Sequence, residues 1–180
     1  MRLTPTPLDG AFLVELEERS DERGFFARTF DREAFAAAGL EPAVEQCNLS
    51  FNHLAGTLRG MHYQVEPAPE AKLVRCTAGS IVDVVVDMRE DSPTRLQSFV
   101  IELSAANRLA LYVPPLFAHG YQTLEDATEV VYQVSCAYTP GTERGLRHDD
   151  PALGLHWPLP VTVLSAKDAA WPLLREQVSA

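Results

Sequence analysis

Three short stretches hold side chains that could move protons or grip an anion. LRGMHYQ (Leu58 to Gln64) puts Arg59 and His62 three positions apart in a strand-like run. EVVYQVS places Tyr132 in a run of the same kind, and PPLFAHG carries a second histidine, His119. Lys72 stands at the head of a further apolar run. Histidine titrates near neutral pH and suits a general base, tyrosine can return a proton, and lysine and arginine can hold negative charge. Each also has an ordinary structural explanation. A lone strand histidine is more often bonded to backbone in a core, Lys72 would be a solvated edge residue, and Tyr132 would be buried for its area. Composition alone does not make them converge.

The histidine spacing also raises metal chemistry. Metal-binding cupin jelly rolls often carry a glycine, five residues and then HXH followed by Glu, with a later histidine motif. Here Gly56 is followed by five residues and His62-Tyr63-Gln64, so an amide stands where the second histidine would be, and His119 keeps the later position. Two histidines and an amide make a poor transition-metal site, which wants three or four good N, O or S ligands. The scaffold reads as similar to a cupin, and no metal or cofactor is expected. No GxGxxG, P-loop, HExxH or GxSxG occurs, which removes dinucleotide, ATP and serine-hydrolase readings.

The elements that must position these residues are mostly strands. KLVRCTAGSIVDVVVDMR gives two strand-like runs around a turn at Ala78-Gly79-Ser80. In the second, Ile81, Asp83, Val85 and Asp87 share one face, and Val82, Val84, Val86 and Met88 the other. SFVIEL, LALYVP, GYQTL and EVVYQVS are further β-rich runs, separated by DSPT, SAANR, PPLFAHG and EDAT. Helical signals are confined to DREAFAAAGL, with Asp31 as cap and Gly39 as stop, and to SAKDAAWPLLREQ, with Ser165 as cap and Pro172 as interruption. ERGFF reads as a turn plus an aromatic strand or as an anion clamp, and GTERGLRHDDP as a charged loop. The pattern predicts a mainly β, antiparallel jelly roll, sandwich or barrel, with short helices near the termini, spanning 1–180 as one domain. Strict alternation would put Leu58, Gly60, His62 and Gln64 on one face and Arg59 on the other. If Arg59 and His62 serve one site the strand must bulge, and Gly60 is the residue that permits it.

Bulk properties narrow the partners. The chain has 180 residues and a net charge of −10, which argues against binding a nucleic-acid backbone. It leaves room for a small anionic ligand held by a few cleft arginines. Cys47, Cys76 and Cys136 are odd in number and widely spaced, as expected of reduced thiols. The N-terminal stretch has no uninterrupted apolar core and no run approaches the ~18 residues of a membrane span, so a cytoplasmic protein with no membrane partner is expected.

Taken in order, DERGFFARTF, EQCNLS, GTLRGMHYQ, KLVRCTAGSIVDVVVDMREDSPT, ELSAANRLALYVPPLFAHGY, TEVVYQVSCAYTPGTERGLRHDDPALGLHWP and LSAKDAAWPLL resemble the dTDP-4-dehydrorhamnose 3,5-epimerases along nearly the whole chain. The resemblance implies a metal-free cupin homodimer acting on a nucleotide-linked 4-keto-6-deoxyhexose. It implies His62 as the base, Asp168 as its partner and Tyr132 as the acid on the opposite ring face. Lys72 would sit near the keto oxygen; Arg23, Gln46, Asn48, Arg59, His119, Glu143 and Lys167 would contact the sugar nucleotide; Tyr138 would stack on the base, with Phe25 assisting. A ketone at C4 acidifies the protons at C3 and C5, so no cofactor is needed.

The chain departs from the family pattern at Arg28, Cys47 and Leu49, toward the nucleotide end, which leaves the base of the nucleotide open. A 3-epimerase of an antibiotic-sugar pathway shares the same machinery. A non-catalytic sugar-nucleotide-binding cupin would have no reason to keep His62, Asp168 and Tyr132 together. A metal-dependent cupin isomerase or oxygenase would want a histidine at Gln64.

Overall fold

The computed structural model describes residues 1–177; residues 178–180 of the expected 1–180 domain lie outside the described residues. Thirteen strands and three short helices are described, and no helix among them is long and apolar enough to cross a membrane. The strands are β1 (Arg2–Pro5), β2 (Phe12–Glu15), β3 (Arg19–Asp21), β4 (Gly24–Phe26), β5 (Gln46–Asn52), β6 (Leu58–Gln64), β7 (Lys72–Ala78), β8 (Ser80–Asp87), β9 (Ser98–Ser104), β10 (Ala110–Val113), β11 (Phe117–Thr123), β12 (Thr128–Val134) and β13 (Glu143–Gly145). The helices are α1 (Arg32–Ala37), α2 (Ala166–Ala169) and α3 (Leu174–Gln177). Pairing between strands is antiparallel throughout, in a six-stranded sheet ordered β1-β2-β10-β7-β12-β5 and a five-stranded sheet ordered β13-β6-β11-β8-β9. This is the cupin-type jelly roll expected from the sequence.

Three apolar clusters explain the layering. Val74, Cys76, Ile81, Val85, Leu111, Phe117 and Val130 fill the space between the sheets. Phe35 and Leu40, from α1 and its exit, cover the outer face of the six-stranded sheet against Val14, Leu73 and Tyr112. Leu146, Leu153, Leu155 and Trp157 cover the outer face of the five-stranded sheet against Met61, Val84 and Val86. Strand β8 is therefore buried on both faces, and its alternation is one of two cores rather than core and solvent. Asp31 caps α1 by accepting from Glu33 N and Ala34 N, which satisfies two of the helix's free amide donors.

Several segments differ from the sequence expectation. The second half of PPLFAHG, expected as a separator, is the start of β11, because its apolar residues and His119 face covered surfaces. Within GTERGLRHDDP, expected as a charged loop, Glu143–Gly145 pairs with Gln64 to His62 as β13. ERGFF is the turn-plus-aromatic-strand form, the β3–β4 hairpin.

Strand β6 departs from strict alternation. His62 pairs with His119 and Arg59 with Tyr121, so Gly60 and Met61 together stand opposite Gly120 alone. Gly60 has φ +121°, a conformation that L side chains rarely adopt, and a Cβ there would lie 2.4 Å from Gly120 Cα. A Cβ on Gly120 would meet Met61 Sδ at 2.7 Å. The two glycines let the strands touch where the extra residue is inserted.

The far end of β8 is locked by Asp87, fully buried. It accepts from Arg89 N and Nε (3.1 and 2.9 Å), Arg89 NH2 (2.7 Å), Ser92 Oγ and Thr94 Oγ1 (2.7 Å). Burial works to raise its pKa, but these donors outweigh it and hold the carboxyl at about 2. A depressed carboxyl contributes stability that is present above its unfolded pKa and lost as pH falls through the folded value. Relative to Asp87→Asn, the wild-type advantage in urea unfolding should shrink by about 1 kcal/mol between pH 7 and pH 3; an unchanged difference would refute the assignment.

Candidate active site

One cavity of about 420 Å³ lies between the two sheets and is closed on one side by Val163 to Asp168. Arg59 and His62 both line it, so the β6 bulge gives two side chains of opposite parity one face. His119 and Tyr121 enter from β11, Lys72 from β7, Tyr132 from β12, Ser50 from β5, and Lys167 and Asp168 from α2.

His62 Nε2 lies 2.6 Å from Asp168 Oδ1. Asp168 is nearly buried, and Gly60 N donates to its other oxygen at 3.4 Å. Ser165 caps α2 by accepting from Asp168 N at 3.0 Å, which fixes the carboxylate's helix. The C-terminal segment is tied to β6 by Leu58 N donating to Val163 O at 2.9 Å. Burial tends to raise the Asp168 pKa, but hydrogen bonding from His62, its positive charge and the Gly60 amide lower it overall. Asp168 therefore stays ionised and orients the ring through Nε2, leaving Nδ1 as the nitrogen not engaged by the carboxylate. Trp171 stands edge-on to His62 at 6.3 Å between centroids and packs flat enough on Gly145 that a Cβ there would meet its ring at 2.1 Å. Gly145 is the cross-strand partner of His62, so this packing backs the imidazole.

Tyr132 faces the cavity from the opposite sheet. Burial first, and then the neighbouring Tyr121 and Glu70, push its phenol pKa up, so it stays protonated. Lys72 is buried beside it, bonded to Glu70 at 3.1 Å and donating to His62 O at 3.3 Å. It is not the solvated edge residue that a strand-end lysine suggests. Arg59 is aimed by Asn52, whose Oδ1 accepts from Nε at 2.8 Å. Arg59, Lys72 and Lys167 thus bring three cations to one cavity of an acidic chain.

The remaining expected residues lie elsewhere. Gln46 and Tyr138 sit together at the surface, with Tyr138 N donating to Gln46 Oε1 at 3.4 Å. Glu143 pairs with Lys167 at the cavity edge. Asn48 is the cross-strand partner of Tyr132. Arg23 and Phe25 are on the exposed β3–β4 hairpin and do not line this cavity; Arg23 pairs with Asp21, and Phe25 lies under Arg108 at 4.7 Å.

Sequence reasoning missed Tyr121, Ser50 and Asp83. The signal for Asp83 was a carboxylate on the Ile81–Val85 face of a valine-rich strand. Gln64 is not in the cavity: its amide accepts from Thr139 N and Thr142 Oγ1 and donates to Ala68 O and Glu70. The amide in the second-histidine position is thus occupied in pinning the 139–142 loop. Among the described residues no three His, Cys, Asp or Glu side chains gather into a metal-holding group.

A jelly roll with a histidine–carboxylate pair on one wall and a half-buried phenol on the other defines a class of proton-transfer site. The comparisons with known proteins give that class a family. The dTDP-4-dehydrorhamnose 3,5-epimerase family matches residues 5–176. A dTDP-4-dehydrorhamnose 3,5-epimerase of Sinorhizobium fredii is 42% identical over 91% of this chain and 85% of its own. The structure of the Bacillus anthracis 3,5-epimerase with TDP and PPi bound superposes with a TM-score of 0.91 at 38% identity, covering 96% of this chain and 99% of that one. A 4-keto-6-deoxy sugar epimerase from the novobiocin gene cluster of Streptomyces spheroides gives 0.92 at 35% identity, covering 99% and 90%. The chain belongs to the dTDP-4-dehydrorhamnose 3,5-epimerase family, and it is an isomerase of the epimerase class.

Asp168→Asn keeps the shape of the dyad and removes its charge. Steady-state kinetics should show kcat lowered by about 10²-fold or more with KM within a few-fold, since Asp168 acts through His62. A fall in affinity with kcat intact would contradict this arrangement.

Proposed function

We propose that this cavity binds a dTDP-linked 4-keto-6-deoxyhexose and inverts C3 and C5 by proton removal on one face and return on the other. One observation carries the reading: base and acid stand on different sheets. His62 belongs to the five-stranded wall and Tyr132 to the six-stranded wall, so a sugar ring between them offers them opposite faces. His62 takes the proton next to the ketone, Asp168 balances the imidazolium, and charge building on the C4 oxygen meets Lys72 and His119. Tyr132 delivers a proton from the other side. The chemistry needs no cofactor because the ketone itself stabilises the enolate.

Arg59 and Lys167 are suited to the diphosphate, and Gln46, Asn48, Tyr138 and Glu143 to the sugar nucleotide at the open end. The reading takes 1–180 as one cytoplasmic domain working as a homodimer. Arg23 and Phe25 then serve the partner's cavity, which is supported by their exposure on a hairpin away from their own.

Incubation with dTDP-4-keto-6-deoxyglucose in deuterated water, followed by NMR, should place label at C3 and C5. Label at C3 alone would make the chain a 3-epimerase, and full exchange by His62→Ala would remove His62 as base. Mixing Arg23→Ala with His62→Ala subunits tests the shared site: random dimers should recover about a quarter of wild-type activity, one intact site in half of them. No recovery would sink the exchange of Arg23 between subunits.

A further inference from the structure

The cavity holds a second histidine–carboxylate pair that the reaction above does not explain. His119 Nε2 is 2.6 Å from Asp83 Oδ1, and Asp83 is fully buried in the strand β8. Its Oδ2 is buried and has no hydrogen-bond partner among the described residues. His119 is also the direct cross-strand partner of His62, which brings two imidazoles side by side on one wall.

Asp83 can only accept when ionised, so the hydrogen bond requires a proton on His119 Nε2. A neutral His119, which lines the cavity, would then offer only a lone pair on Nδ1, which repels a carbonyl or enolate oxygen. The ring can donate from Nδ1 only as imidazolium. Moving the shared proton to Asp83 instead is unfavourable, because a carboxylate is by far the weaker base. The two pairs also differ in what else their carboxylates bind. Asp168 spends part of its charge on the Gly60 amide, whereas Asp83 directs its own at His119.

We propose that Asp83 is a positioning residue that holds His119 as a standing imidazolium, and that this charge polarises the substrate carbonyl while keeping neighbouring His62 unprotonated. Like dyads are thereby set to opposite states: one accepts a proton and the other keeps one. The groups around His119 are consistent with this division. Asp83 faces it from β8, Tyr121 lies 6.4 Å away on β11, and His62 and Arg59 stand on β6. Lys72 with Glu70, Tyr132, and Lys167 with Asp168 complete the cavity wall. Of the four carboxylates, Glu70 pairs with Lys72, Glu143 with Lys167 and Asp168 with His62, which leaves Asp83 for His119.

The inference rests on the epimerase reading for its carbonyl, but its protonation states can be tested without substrate. In wild-type protein labelled with 15N-histidine, and assigned through His62→Asn and His119→Gln, His119 should show both ring nitrogens protonated at pH 8 while His62 is neutral. A neutral His119 at that pH overturns the proposal whatever the activity. Asp83→Asn retains an acceptor for Nε2–H and removes only the charge. Its turnover should fall by about ten-fold or more, with KM within a few-fold. The acid limb of kcat/KM should move up by roughly one pH unit as His62 loses its cationic neighbour. A structural role alone would lower stability and leave that limb in place. Absence of wild-type activity on the dTDP sugar would fail the epimerase reading while leaving the NMR result to decide the charge assignment.

Discussion

A strand sends alternate side chains to opposite faces, and this site needs two residues three positions apart on one face. Contact between Gly60 and Gly120 resolves the conflict. It inserts one residue into β6 without parting β6 from β11, and it works only where neither strand carries a Cβ. Met61 then turns outward into the core behind the sheet, while Arg59 and His62 turn inward beside Tyr121 and His119. Remove that contact and the guanidinium and the imidazole part company. The other features of the cavity are arranged around a wall that this bulge creates.

The second requirement is cover on both sides of that wall. A carboxylate in a two-sided core strand is costly unless donors meet it, and β8 carries two. Asp87 has Arg89 and the Ser92 and Thr94 hydroxyls, which serve a structural anchor. Asp83 has one imidazole nitrogen. A residue that poorly satisfied would be expendable in a purely structural strand, and its partner's place in the cavity gives it a use. Ile81 and Val85, which share the face of β8 with Asp83, are buried in the core between the sheets and keep water from competing for that charge.

Much of the architecture was legible because it is written in period-two apolar runs and turn residues. The β7–β8 hairpin, the capped α1 and the Ser165-capped turn carrying Asp168 all stand where the pattern puts them. The β6 bulge was legible as a need, since Arg59 and His62 had opposite parity and a glycine lay between them. What was not legible depends on the third dimension. Lys72 looks like an edge residue until Glu70 folds over it, and PPLFAHG looks like a connector until its histidine meets Asp83. Asp83 itself was visible as an inward carboxylate, but its partner lies 36 residues away. Arg23 and Phe25 came from family resemblance, and within one chain they stand outside the cavity.

That last placement separates the two tasks of the site. The proton-moving groups all come from a single chain, fixed on sheets whose spacing the core sets, as transfer over hydrogen-bond distances demands. The end proposed to hold the nucleotide is open: Tyr138 is exposed, Gln46 lies at the surface beside it, and the β3–β4 hairpin bearing Arg23 and Phe25 is exposed. The cavity groups are thus built into the fold, and on the proposed reading grip on the nucleotide falls to surface groups and to a second copy. Of the departures from the family pattern, Cys47 and Leu49 are exposed on β5 and alternate with Asn48 and the cavity-lining Ser50, so they face away from the cavity, and Arg28 pairs with Asp31 elsewhere. Variation at these positions leaves Asp168, His62, His119 and Tyr132 untouched.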